Sequence, residues 1–316
     1  MTTTPSQPAN DPTTRHADPD LHVIEVNGIR LAYAEWRAEL RGAGRPTLLL
    51  CHATGFHGRV WDRMLTLLPD WHAIAVDLRG HGRSETTPIT NWVVFGRDIA
   101  DLVRRLDLHH VVGIGHSMGA HTLVRAAAVE QARFDGLFLF DPTILPREAH
   151  RPGLSFDVGD HPVSRRNRRF ASALAMRERF ADRPPYASFD PQVLADYCTH
   201  GLVPAADGDG FELACRPETE ASIYLSSRAD DTVYDAIPRI DLPVLIARAK
   251  LPVTEQDRLD FSFSPTWPEL ASAFKHARDL HFAERNHLMP LESPAQTAAL
   301  INEFVRSLQQ ARPAEG

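Results

Sequence analysis

Short apolar runs alternate along the chain with longer segments in which apolar residues recur every three or four positions. The first pattern predicts buried strands and the second predicts amphipathic helices packed on them. LHVIEV (Leu21–Val26) and IRLAYAEW (Ile29–Trp36) flank the dipeptide Asn27-Gly28, a tight hairpin signal. TLLLC (Thr47–Cys51), HAIAVD (His72–Asp77), HVVGIG (His110–Gly115), GLFLF (Gly136–Phe140) and PVLIARA (Pro243–Ala249) read as further strands. Helical patterns follow them in WDRMLTLLPD, FGRDIADLVRRLDL and MGAHTLVRAAAVEQ. Late in the chain, PELASAFKHARD reads as a helix, LHFAE as a short strand and SPAQTAALINEFVRSLQQ as a closing helix. This rhythm predicts an α/β fold with a mostly parallel sheet.

The rhythm breaks after Asp141. Residues 146–240 hold proline-punctuated, arginine-rich helical pieces without a convincing strand, and the strand pattern resumes at PVLIARA. The expected organisation is a disordered leader over 1–20, a core over 21–145 and 241–312, and a helical cap over 146–240 inserted after the sixth strand. Within the insert, SRRNRR (Ser164–Arg169) is read as a solvated helix face. Glu218 and Glu220 are read as the N-terminal turn of a helix.

Composition narrows the function. A formal net charge of −7 argues against nucleic-acid or anionic-membrane binding, and no apolar run is long enough to span a bilayer. Cys51, Cys198 and Cys215 are odd in number and lack paired spacing, so no disulfide framework is expected and a cytoplasmic location follows. Oligomeric state is left open by these observations.

GHSMG (Gly115–Gly119) fits Gly-x-Ser-x-Gly and lies between a predicted strand and a predicted helix. A strand-to-helix elbow forces strained backbone at Ser117 and exposes its hydroxyl. It also leaves the Met118 N–H at a helix N-terminus as an oxyanion donor. HATGF (His52–Phe56) follows the third strand and offers Thr54 as a second donor. His52 and His57 in this region fit structural or pocket-wall roles better than metal ligation. His287, in NHLMPLESP (Asn286–Pro294), is the expected base, because it sits on a loop after the last strand. Phe56, Trp61 and Tyr197 are candidate pocket walls.

Together GHSMG, HATGF, DLRGHGRS (Asp77–Ser84) and NHLMPLESP resemble the α/β-hydrolase superfamily, in its serine-nucleophile, esterase/lipase-like branch. The resemblance implies an eight-stranded, mostly parallel sheet with a helical cap after strand 6, and acyl transfer through an acyl-enzyme. It assigns Ser117 as nucleophile, His287 as base, and Met118 and Thr54 as oxyanion donors, with no metal and no cofactor. The usual His-Gly after the third strand is His52-Ala53 here.

The acid has two candidate positions. Family members most often carry it after the strand PVLIARA, where the expected position falls on Pro252, leaving Glu255 and Asp257 as later carboxylates. Asp141 follows GLFLF and lies 24 residues after Ser117, a spacing that other superfamily members use. Asp141 is the preferred acid, with Glu255 and Asp257 as alternatives. The expected activity is cleavage of a small ester or lactone. Carbon–carbon bond, amide or carbamate hydrolysis, and a non-hydrolytic binding protein or cyclase, stand as alternatives.

Overall fold

The computed structural model describes residues 18–151, 157–257 and 260–311. The leader expected over 1–20 falls almost entirely outside them. Eight strands form the main sheet, and their order follows from how each is built. β1 (Asp20–Val26) and β2 (Ile29–Trp36) pair antiparallel through Asn27-Gly28, both at positive φ, so the hairpin read from sequence is present. β3 (Thr47–Cys51), β4 (Ala73–Asp77), β5 (Val111–His116) and β6 (Phe134–Phe140) follow. β3 and β5 are buried along their whole length, which is why they read as unbroken apolar runs rather than alternations.

The sheet order is β1-β2-β4-β3-β5-β6-β10-β11, where β10 is Val244–Arg248 and β11 is Ala277–His281. The pairs β3–β4, β3–β5, β5–β6, β6–β10 and β10–β11 are all parallel. Helices Val93–Arg105, Met118–Val129 and Pro294–Ala311 cover the two faces and close one core on each side of the sheet. Ser117, Asp141 and the β10–β11 loops therefore gather at one edge, the carboxyl ends of adjacent strands.

Two local expectations are corrected. The segment PELASAFKHARD forms only the single helical turn Leu270–Ala273, and strand β11 starts already at Ala277. β11 is an edge strand whose side chains are largely exposed, so no apolar run marks it. The segment 146–240 is not purely helical. Besides helices Ala173–Phe180, Pro191–His200 and Pro217–Ser226, it contains β7 (Arg169–Phe170), β8 (Leu202–Pro204) and β9 (Phe211–Leu213), joined as an antiparallel sheet in the order β7-β9-β8. Strands of two or three residues are too short to show an alternation in sequence. Among the described residues no helix is long and apolar enough to cross a membrane.

Candidate active site

The turn from β5 into helix Met118–Val129 holds Ser117 at φ 56° and ψ −115°, a conformation that an ordinary side chain adopts only under strain. The flanking glycines are required by contact. A Cβ on Gly119 would lie 2.2 Å from the Cys51 carbonyl oxygen, and one on Gly115 would lie 2.4 Å from the Ala120 Cα. The strain is held by backbone bonds on both sides: the Ser117 N–H donates to the Phe140 carbonyl at 2.9 Å, and the Thr143 N–H donates to the Ser117 carbonyl at 3.2 Å.

Three side chains meet at this edge. His287 Nδ1 lies 2.6 Å from Asp141 Oδ2, and His287 Nε2 lies 3.0 Å from Ser117 Oγ. The carboxylate accepts only, so Nδ1 carries the proton and Nε2 accepts the Ser117 hydroxyl. Asp141 is fully buried, whereas Ser117 and His287 keep 7% exposure. Asp141 itself sits at φ 45°, at the sharp turn where β6 ends.

The loop after β10 does not supply the carboxylate. It supplies donors to Asp141. Asp141 Oδ1 accepts the Ala249 N–H at 3.2 Å and the Ser264 hydroxyl, while the Thr266 hydroxyl is shared between Asp141 Oδ1 at 3.1 Å and the Pro142 carbonyl at 2.8 Å. Asp257, the alternative acid, accepts the N–H groups of Val253 and Thr254 at 2.9 and 2.8 Å and so closes its own turn. Glu255 is exposed on the same loop. Neither is the partner of His287 Nδ1.

The remaining candidates separate. The side chains of Thr54 and Met118 touch, with the Thr54 hydroxyl 3.4 Å from the Met118 sulfur, which sets the two loops side by side. Neither backbone N–H has an acceptor among the described residues. Phe56 packs on Tyr197 with ring centroids 5.2 Å apart, and both line a small cavity with Arg166. Trp61 is a correction: it is 1% exposed and belongs to the core beneath the sheet with Leu48, Leu50 and Met64, because the turn at Gly58–Trp61 points it inward.

The neighbouring histidines are structural. His52 Nε2 accepts the Leu78 N–H at 3.0 Å, and His81 Nε2 accepts the Gly55 N–H at 3.0 Å, so both are neutral braces of the Thr54 loop. His57 Nε2 donates to the Tyr197 carbonyl at 3.1 Å. Burial holds His57 and His81 well below the usual histidine range, at about 3 and about 4. Among the described residues no group of three or more His, Cys, Asp or Glu side chains is arranged to hold a metal ion. Cys51 is buried, and burial pushes its thiol up, away from nucleophilic use.

Sequence reasoning passed over His116, Thr143, Ser264 and Thr266, which touch the three central side chains. His116 Nε2 donates to the His287 carbonyl at 2.8 Å, and Thr143 Oγ1 lies 2.9 Å from Ser117 Oγ. No periodicity marks loop hydroxyls of this kind.

A second departure lies in the insert. Arg166 of SRRNRR is not on a solvated helix face; its guanidinium pairs with buried Glu220 at 2.6 Å and reaches the Tyr186 and Tyr197 hydroxyls at 3.2 and 3.3 Å. Glu220 stands in the first turn of helix Pro217–Ser226, as expected, but is turned inward over Gly55. A cavity of about 620 Å³ lined by Thr86, Arg168, Glu212 and Thr219 does not include Ser117.

A family model described as "Alpha/beta hydrolase family" matches residues 48–300. The chain belongs to the alpha/beta hydrolase family. Among its relatives, the non-heme chloroperoxidase CPO-A1 of Kitasatospora aureofaciens is 35% identical over 104 residues, 31% of this chain and 35% of that enzyme. A serine hydrolase-like protein of Danio rerio is 25% identical over 88% of this chain and 90% of its own length. Lipases and esterases are matched over shorter stretches. In structure, the E-2-(acetamidomethylene)succinate hydrolase superposes with a TM-score of 0.67 at 22% identity, over 91% of this hydrolase-family chain and 99% of its own, a likeness of fold.

Proposed function

We propose that the chain is a serine hydrolase that cleaves a small carboxylic ester or lactone through an acyl-enzyme, with Ser117 as nucleophile, His287 as general base and acid, and Asp141 as the acid that orients it. The observation that carries this reading is the unbroken line Asp141 Oδ2–His287 Nδ1–Nε2–Ser117 Oγ, with contacts of 2.6 and 3.0 Å. As Ser117 Oγ bonds to the substrate carbonyl carbon, its proton passes to His287 Nε2, and the buried Asp141 carboxylate stabilises the imidazolium. The carbonyl oxygen becomes an oxyanion at the Met118 and Thr54 N–H groups, which have no competing acceptor among the described residues. Collapse expels the alcohol, which takes the proton from Nε2. Water, deprotonated by His287 Nε2, then bonds to the acyl carbon, the C–Oγ bond breaks to release the acid, and Nε2 returns the proton to Ser117 Oγ.

Residues 146–240 act in this reading as the cap that sets specificity, with Phe56 and Tyr197 as apolar walls where cap and core meet. The three free, buried cysteines fit a reducing cytoplasm. A stopped-flow assay with p-nitrophenyl acetate and butyrate tests the reading. A burst of p-nitrophenol stoichiometric with enzyme, absent in Ser117→Ala, is expected. Turnover equal in wild type and Ser117→Ala would refute it.

A further inference from the structure

We propose that Thr143 is a catalytic hydrogen-bond donor to the Ser117 Oγ atom, fixed there by the buried side chains of His121 and Arg125 and the half-buried Asp230. The inference rests on Ser117 being the nucleophile.

The direction of the bond follows from counting protons. His287 Nδ1 gives its proton to Asp141, so Nε2 is an acceptor, and the single Ser117 hydroxyl proton goes to it. The remaining contact at Ser117 Oγ, 2.9 Å to Thr143 Oγ1, then requires Thr143 to donate.

The position of Thr143 is fixed from three sides. Its N–H donates to the Ser117 carbonyl at 3.2 Å. Its carbonyl lies 3.1 Å from His121 Nδ1. Arg125 Nε donates to His121 Nε2 at 2.8 Å, which leaves the histidine proton on Nδ1, facing Thr143. Arg125 is in turn held by the Thr232 hydroxyl at 2.9 Å and by an ion pair with Asp230, both late in the segment 146–240. His121 and Arg125 are buried; burial and the Arg125 charge hold His121 near 3, so this chain keeps one protonation pattern across the working pH range.

Such a donor acts on Oγ in both half-reactions of the proposed mechanism. In acylation Oγ loses its proton to His287 as the C–Oγ bond forms. In deacylation the C–Oγ bond breaks and Oγ leaves with partial negative charge before Nε2 returns the proton. Met118 and Thr54 serve the carbonyl oxygen, not this atom. A donor already aligned on Oγ strengthens as charge develops there, and it keeps its own proton throughout.

The test compares wild type, Thr143→Val, Thr143→Ala and Thr143→Ser as full-length proteins. Each reacts with an alkyl fluorophosphonate, and labelling is localised to Ser117 by peptide mass spectrometry. The second-order labelling rate is expected to fall about tenfold in the Val and Ala variants, the gap between a neutral and a charge-assisted bond. The Ser variant is expected to recover most of the rate, with cooperative melts retained throughout. If Val does not fold, Ala against Ser carries the comparison. Wild-type labelling rates in Val and Ala, or a Ser variant as slow as Ala, overturn the role of Thr143 while leaving Ser117 as nucleophile. A wild type that does not label at Ser117 overturns both.

Discussion

The hydroxyl of Ser264, on the loop after β10, donates to the carboxylate of Asp141, at the end of β6, and both residues are buried. The loop that most often carries the acid in this superfamily thus serves the carboxylate of the neighbouring strand, the acid of the proposed triad. Asp141→Asn is therefore expected to lower kcat by roughly 10⁴-fold, the scale of losing the correct histidine tautomer, without loss of the cooperative melt. Glu255→Gln and Asp257→Asn are expected to keep near wild-type turnover. Steady-state kinetics on a p-nitrophenyl ester decides it, and a dead Asp257→Asn beside an active Asp141→Asn would reverse the assignment.

The donors themselves are testable as stability. Ser264→Ala removes a hydrogen bond to a buried carboxylate, worth about 1.5–3 kcal/mol, and Thr266→Val removes a hydroxyl shared between that carboxylate and the Pro142 carbonyl. Urea unfolding is expected to show losses in that range, and because both donors share one oxygen the double variant should depart from additivity. Wild-type midpoints in both single variants would show that the contacts carry no stability.

Acid should unfold the protein through its buried histidines. His57, His81, His116 and His121 are held at about 3, 4, 3 and 3, mainly by burial. Between those values and about 6.5 the unfolded chain binds protons that the folded chain does not. Their contribution is thus complete above about pH 6.5 and is lost as pH falls, by about 1.4 kcal/mol per pH unit for each histidine. Six carboxyls raised by burial oppose the trend: Asp62 to about 7, Asp135 to about 6, and Asp77, Asp98, Asp196 and Glu220. They are fewer than the nine histidines lowered by burial, which also include His52, His72, His150, His161 and His200. Urea midpoints measured from pH 7.5 to 5 should fall steeply, and His57→Gln should flatten the slope. A flat profile would contradict the burial of these rings.

The Arg166–Glu220 pair makes a different demand. Glu220→Ala strands a largely buried guanidinium and is expected to cost about 3–5 kcal/mol. Replacing both partners by apolar residues, as Arg166→Met with Glu220→Leu, should recover much of that loss. Thermal melts of the single and double variants check it; a double variant less stable than Glu220→Ala would show that the charge pair itself stabilises the fold.

The sheet was legible because β3 and β5, buried on both faces, leave unbroken apolar runs, and because Asn27-Gly28 announces its own turn. The elbow was legible because Gly115, Ser117 and Gly119 stand in one short motif between a strand and a helix, where backbone contacts with Ala120 and Cys51 demand the two glycines. The short strands over 169–213 were not, since pairs such as Arg169–Phe170 with Phe211–Glu212 are joined by a two-residue register and the Arg169–Glu212 ion pair between segments distant in sequence. Nor were Ser264, Thr266 and Thr143. Each gains its place from a sharp turn, at Asp141 or beyond β10, that brings distant loops onto one carboxylate or one hydroxyl, and isolated Ser and Thr residues carry no pattern that reports it. Arg166 was misread for a related reason: a run of arginines looks solvated until a buried carboxylate from another segment meets one of them.

The central claim is a covalent step at Ser117. Acid-quenching the protein during steady-state turnover of p-nitrophenyl butyrate, followed by intact and peptide mass spectrometry, tests it most directly. The account predicts a butyryl adduct on the peptide containing Ser117, absent in Ser117→Ala. Turnover with no adduct on that peptide, or with the adduct elsewhere, would contradict it.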